Sequence, residues 1–140
     1  MRAEYDAFRA RVESAPILTG RVHSAVRFDT AGDPVRDNYV VAFPGRPRLI
    51  DDARYTTRQT PESSAKFRFD VRYVAVDVDG VLLFAEAAHD RLIGHVLVVP
   101  GRRCDAISLV PSVEEEQVRF DKTARLFYLD ETYEFWSRRP

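Results

Sequence analysis

A chain of 140 residues and 16.1 kDa that is 45% hydrophobic and 11% aromatic has the size of one domain and enough apolar side chain for a core of its own. Its 21 Lys and Arg against 22 Asp and Glu leave a formal charge of −1, which argues against the broad basic surface of a protein that binds nucleic acid in bulk. A single cysteine, Cys104, excludes an internal disulfide framework and a thiolate cluster, and no apolar run approaches the ~18 residues of a membrane span, so neither ordinary secretion nor membrane insertion is expected.

The opening segment carries Tyr5, Phe8 and Val12 at helical spacing, with Glu4, Asp6, Arg9 and Arg11 between them, which predicts an amphipathic helix stopped by Pro16. A short apolar stretch from Ile17 to Val26 precedes Asp29-Thr30-Ala31-Gly32-Asp33-Pro34, a run of turn formers that marks an exposed connection. A strand is predicted from Asn38 to Phe43, ended by Pro44-Gly45-Arg46-Pro47. Large apolar residues are few from Arg48 to Ser64, which reads as a ragged strand or long loop. From Lys66 the chain alternates: Phe67, Phe69, Val71, Tyr73 and Ala75 on one face, Lys66, Arg68, Asp70, Arg72 and Val74 on the other. Asp77-Val78-Asp79-Gly80 reads as a turn. Val81, Ala85, Ala88 and Leu92, flanked by Phe84, His89 and Ile93, then form a helical stripe that Gly94 terminates. Pro100-Gly101-Arg102-Arg103 turns into a strand from Cys104 to Val110, closed by Pro111, and Ser112 to Ala124 reads as a solvated loop. The last strand sets Phe127, Leu129, Tyr133 and Phe135 against Tyr128, Asp130, Thr132, Glu134 and Trp136.

This order predicts one α+β domain over residues 1–140: a two-layer sandwich with a mostly antiparallel sheet of about four to five strands and two main helices packed on one face.

Few constellations carry chemistry. Asp77 and Asp79 lie in a run similar to the nucleophile loop of haloacid-dehalogenase-type phosphatases, in which two such carboxylates work with Mg²⁺. The later lysine and acidic metal loop of that family are missing, and Asp-x-Asp-Gly is also ordinary turn chemistry, so no catalytic residue and no cofactor is assigned. His23, His89 and His95 have no carboxylate spaced to complete a metal site and read as surface or edge residues; Cys104 reads as a small, partly buried thiol. Arg68, Asp70 and Arg72 share one face of a long strand. They form either a water-facing surface with weak cross-strand ion pairs or a contact with another protein. Only two of the cations, Lys66 and Lys122, are lysines, and arginine is enriched at interfaces, although a GC-rich genome produces the same bias. A small-ligand pocket between sheet and helices stays open as a further reading.

The whole pattern resembles the tail terminator (tail-to-head joining, tail completion) proteins of long-tailed phages, especially those of actinobacterial phages. The residues that carry the resemblance are the helix Tyr5-Asp6-Ala7-Phe8-Arg9-Ala10-Arg11, the strand Asn38 to Gly45, the strand Phe67 to Val76 leading into the second helix, Val99 to Ile107, and the final strand through Phe127-Tyr128. The resemblance implies a structural virion protein at the head-proximal end of the tail, assembled in the host cytoplasm. Its partners would be itself in a homohexameric ring, the tail tube protein and the head–tail connector or stopper, with DNA passing through but not read in sequence. A stopper role is the alternative within the same class, and a Mg²⁺-dependent phosphatase using Asp77 and Asp79 the alternative in another. In a ring, Arg48, Arg54 and Arg58 are expected to meet Glu114, Glu115 and Glu116 of a neighbour, with Arg68, Asp70 and Arg72 also in contact. The segments Arg46 to Ser64 and Ser112 to Ala124 are expected to order only on assembly.

Overall fold

The computed structural model describes residues 2–44, 47–49, 65–111 and 117–138, with the backbone course alone at 47–49. Its elements in chain order are α1 (Arg2–Glu13), a 3-10 turn (Pro16–Leu18), β1 (Val22–His23), β2 (Tyr39–Ala42), β3 (Pro47–Leu49), β4 (Ala65–Ala75), α2 (Val78–Leu92), β5 (Arg103–Cys104), β6 (Ser108–Val110), β7 (Arg119–Asp121) and β8 (Leu126–Arg138). The fold is α+β, as the hydrophobic periodicity predicts. Among the described residues the sheet has eight strands, more than expected: β2 falls within the strand predicted from Asn38 to Phe43, but β1 and β7, two and three residues long, carry too few alternations to be read from sequence, and the strand predicted from Cys104 to Val110 is divided in two.

β4 and β8 form the centre of the sheet, antiparallel and in register from Ala65↔Ser137 to Ala75↔Phe127. β2 pairs with the C-terminal half of β4 and β3 with its N-terminal half, while β1 lies parallel to β2 at the edge. Along its other side β8 meets β5, β6 and β7 in turn.

The alternation of β4 sends Phe67, Phe69, Val71, Tyr73 and Ala75 into the main core. There they meet Phe8 and Val12 of α1, Val81, Ala85, Ala88 and Leu92 of α2, and Leu129, Tyr133 and Phe135 of β8. Phe69 is fully buried, with ring centroids 4.9 Å from Phe8 and 5.9 Å from Phe135. Both helices therefore cover the same face of the sheet. The opposite face is not uniformly charged: Val74, placed there by its parity, joins Tyr39, Val41 and Leu126 in a second buried cluster flanked by Phe43 and Tyr128.

Four local expectations are corrected. Asp77 to Gly80 is not a free turn but the start of α2: Asp77 has extended backbone and its carboxylate accepts the Gly80 N–H at 2.7 Å, which supplies one of the amide partners that a helix N-terminus lacks. Cys104 to Val110 is not one strand. It breaks into β5 and β6, and Ala106 between them bridges to Val96 instead. Residues 117–124 do not form a solvated loop, because β7 pairs with the start of β8 and the Asp121 carboxylate accepts the N–H groups of Thr123 and Ala124 in the connecting turn. The connection closes at Arg125, whose φ of 54° is left-handed. Finally, Glu4 is not one of α1's solvated residues. It is 4% exposed and accepts from Ser137 Oγ at 3.1 Å, while Arg102 donates to Ser137 Oγ at 2.9 Å and to the Ser137 carbonyl at 2.7 Å. This polar knot ties the start of α1 to the end of β8.

Candidate interaction surface

The face of β4 and β8 turned away from the helices carries the charged residues singled out in the sequence. Antiparallel pairing sets Arg68 opposite Glu134, Asp70 opposite Thr132 and Arg72 opposite Asp130, so each charge finds a complement directly across the strand. Arg72 is the best held: Nε and Nη2 donate to the two Asp130 oxygens at 2.7 and 2.9 Å, and its guanidinium lies 4.7 Å from the Tyr128 ring and 5.9 Å from the Phe43 ring. The Asp130 hydrogen bond raises the Arg72 pKa above its ordinary value against the opposing effect of burial. Asp70 accepts from Thr132 Oγ1 at 2.7 Å. Arg68 and Lys66 both converge on Glu134, at 3.0 and 3.1 Å, and Trp136 lies between Lys66 and Arg138 with the cations 5.6 and 5.2 Å from its ring. The sequence therefore grouped Arg68, Asp70 and Arg72 correctly on one face, and the structure gives each a partner within the chain. Of the remaining candidates, Arg48 falls on β3, where only the backbone is described, and Arg54, Arg58, Glu114, Glu115 and Glu116 lie outside the described residues.

On the helix side a cleft of about 470 Å³ opens along the flank of α2, between it and strands β6 and β8, with Leu82, Ala85, Leu109 and Leu129 among its walls. Within it His89 Nε2 lies 2.8 Å from both carboxylate oxygens of Glu131, whose side chain is 11% exposed. The hydrogen bond that the imidazolium donates to Glu131 raises the His89 pKa, more than burial lowers it. Beneath the pair, the buried hydroxyls of Tyr73 and Tyr133 share a hydrogen bond of 2.8 Å, and burial pushes the pKa of both phenols up. Sequence reasoning gave His89 no carboxylate partner. The signal was available in parity: Glu131 is the acidic member of the inward set Leu129, Tyr133, Phe135, and His89 stands four residues after Ala85 on the apolar stripe of α2.

The remaining chemistry-bearing residues do not gather. Asp77 is engaged as the α2 cap, and among the described residues no three His, Cys, Asp or Glu side chains are placed to hold a metal ion. Cys104 is buried, and burial raises its thiol pKa, the opposite of an activated nucleophile. Among the described residues no helix is long and apolar enough to cross a membrane.

No protein-family model matches the chain, and no curated protein matches it. A fold likeness exists among solved structures. The chain aligns over 95% of its length, at TM-score 0.68 and 16% identity, with 92% of a chain from the virion of a native gene transfer agent (GTA) particle. At that identity the likeness establishes a shared fold.

Proposed function

We propose that the chain is a structural subunit of a phage-type virion, and within it a tail terminator: a protein that closes into a ring on the finished tail tube, ends its polymerisation and presents a surface for the head connector. The observation that carries this reading is the fold likeness to a chain of a gene transfer agent virion, which covers nearly the whole of both chains rather than a fragment. It agrees with the residue pattern of the terminator family read from the sequence. The surfaces fit a subunit role: the charges of β4 and β8 are paired across the strands, and apolar side chains stand uncovered in the single chain, Val98, Phe28, Leu83 and Leu82 above all. A closed ring needs two different, complementary surfaces on each subunit, and such surfaces stay exposed until a neighbour arrives.

The reading assigns no catalytic step. Purified protein with Mg²⁺ is expected to hydrolyse no phosphomonoester, and turnover abolished by Asp77→Asn overturns the structural role. The direct test is mass photometry of the protein alone and with isolated tail tubes, with electron microscopy of the tube ends. A ring seated on one end of each tube, after which added tube protein no longer elongates it, is the expected result. Tubes that elongate unchanged in its presence overturn the terminator role, and a ring that binds the head connector but not the tube assigns the stopper role instead.

A further inference from the structure

At the β1 edge of the sheet the chain turns at Thr19 and Gly20, runs through β1, and returns through Asp37 into β2. Between these passes lies a polar pocket of about 300 Å³ whose walls include Arg21, His23, Arg27, Asp37 and Tyr39. Its geometry follows from the parallel pairing of β1 and β2, which sets Val22 opposite Val40. Arg21 Nη1 donates to the Asn38 carbonyl at 2.9 Å, holding the guanidinium at the rim, where its ion pair with Asp37 is long and exposed at 3.8 Å. Tyr39, itself buried, touches the two stretches that carry the other lining groups: its hydroxyl accepts the Arg27 backbone N–H at 3.4 Å, and its ring meets the His23 imidazole edge-on at 5.9 Å.

The Arg27 guanidinium makes no hydrogen bond or ion pair among the described residues, unlike Arg68, Arg72, Arg102 and Arg138, which all have carboxylate partners. Two carboxylates stand near: Asp37, and Glu13, which accepts the Gly20 N–H at 3.2 Å. They do not cancel the arginines. The His23 pKa is lowered first by burial and then by the charges of Arg27 and Arg9, each outweighing the opposite effects of Glu13 and Asp37.

We propose that this pocket binds a phosphate group. Arg27 supplies a planar fork without a hydrogen-bond or ion-pair partner among the described residues, Arg21 a second one that can exchange its long contact with Asp37 for a shorter one to the ligand, and His23 a ring N–H from the lining. A tetrahedral oxyanion accepts from all three directions, which a single planar carboxylate does less well. The phosphate can be free inorganic phosphate or part of a nucleic-acid backbone. The chain's net charge of −1 argues against an extended nucleic-acid footprint but not against one local contact. This proposal does not depend on the virion role.

The test is an NMR titration of the full chain with sodium phosphate against sodium chloride at matched ionic strength, following the His23 ring protons. The expected result is a saturable shift in phosphate alone, with the His23 titration midpoint moved upward because a bound anion favours the imidazolium, and with His89 and His95 unmoved. Arg27→Gln is expected to weaken phosphate binding about tenfold, the loss of one hydrogen bond between charged groups. Arg36→Gln, outside the pocket lining and donating to the Arg125 carbonyl, leaves it unchanged. In a second arm, a short DNA duplex that displaces phosphate at His23 identifies the nucleic-acid backbone as the source, and a duplex without effect there identifies free phosphate. Equal His23 shifts in chloride and phosphate, or a phosphate response unaltered in Arg27→Gln, overturn the proposal.

Discussion

At the scale of single residues, two groups bind the same helix to the sheet in different ways. Asp77 caps α2, and Gly80 is the residue that lets it: a Cβ at Gly80 would stand 2.8 Å from Asp77 Oδ1 and 2.9 Å from Ala75 Cβ. Asp77→Ala is expected to cost about 1 kcal/mol in chemical denaturation, the usual loss of an N-cap. Gly80→Ala is expected to destabilise as well, because its Cβ would collide with Ala75 Cβ, which is fixed to the backbone, and with the Asp77 oxygen that makes the cap; an unchanged unfolding midpoint in either variant contradicts the cap. His89 holds the middle of α2 through Glu131. Because the His89 pKa is raised in the folded chain, its contribution to stability is complete below the unfolded value of about 6.5 and is lost as pH rises through the higher folded value. His23 and His95, whose pKa values are lowered, act in the opposite sense. The measurement is therefore a difference: the stability advantage of the wild type over His89→Gln should be largest near pH 6 and shrink above neutrality. An advantage that grows with pH contradicts the pair. An aspartate-glycine pair and a histidine on an apolar stripe are both visible in the sequence, but which atoms they reach depends on where the helix lands.

At the scale of elements, the parity of β4 decides most of the structure. Register is strongly specified because a slip of one residue would exchange the phenylalanines for Arg68, Asp70 and Arg72. Phe69→Ala removes a ring that contacts Tyr5, Phe8, Phe67 and Phe135, and is expected to cost roughly 3–5 kcal/mol through lost burial and the cavity left behind. A melting temperature unchanged by this substitution would mean that the strand is shifted. On the other face the arginines differ although the sequence presents them alike. Arg68→Ala is expected to change stability by no more than about 0.5–1 kcal/mol, since Arg68 itself is 43% exposed and Lys66 remains to take the Glu134 carboxylate. Arg72→Ala is expected to cost more, about 1–3 kcal/mol, because it removes a two-pronged bond to Asp130 and packing against Tyr128 and Phe43. Equal losses for the two variants would show that the neighbouring rings contribute nothing. The shortest strands were legible only in part: the strand predicted from Cys104 to Val110 is two, and β1 and β7 carry too few residues for a period, while β5, β6 and β7 pair along the edge of β8 that β4 leaves open.

For the whole molecule, the exposed apolar side chains separate folding from assembly. Val98 is 87% exposed while its neighbours Leu97 and Val99 are buried. Val98→Asp is expected to leave the melting temperature of the dilute chain within about 2 °C of wild type, because an exposed side chain adds little to folding. If this surface contacts a neighbouring subunit, the same variant weakens ring formation by mass photometry. A large drop in monomer stability would instead show that Val98 belongs to the fold. The sequence by itself determined the α+β class, the two helices, the two long strands, and the faces on which Phe69 and Arg72 stand. Burial acts on every second or every third and fourth residue, so its pattern is written locally. Only the tertiary structure decided that Glu4 meets Ser137, that Glu131 meets His89, that Val74 enters a second cluster, and that Arg21, His23 and Arg27 border one pocket. Each of these depends on a contact between distant stretches of chain, set by strand order and by where each helix crosses the sheet, and no local periodicity carries that information.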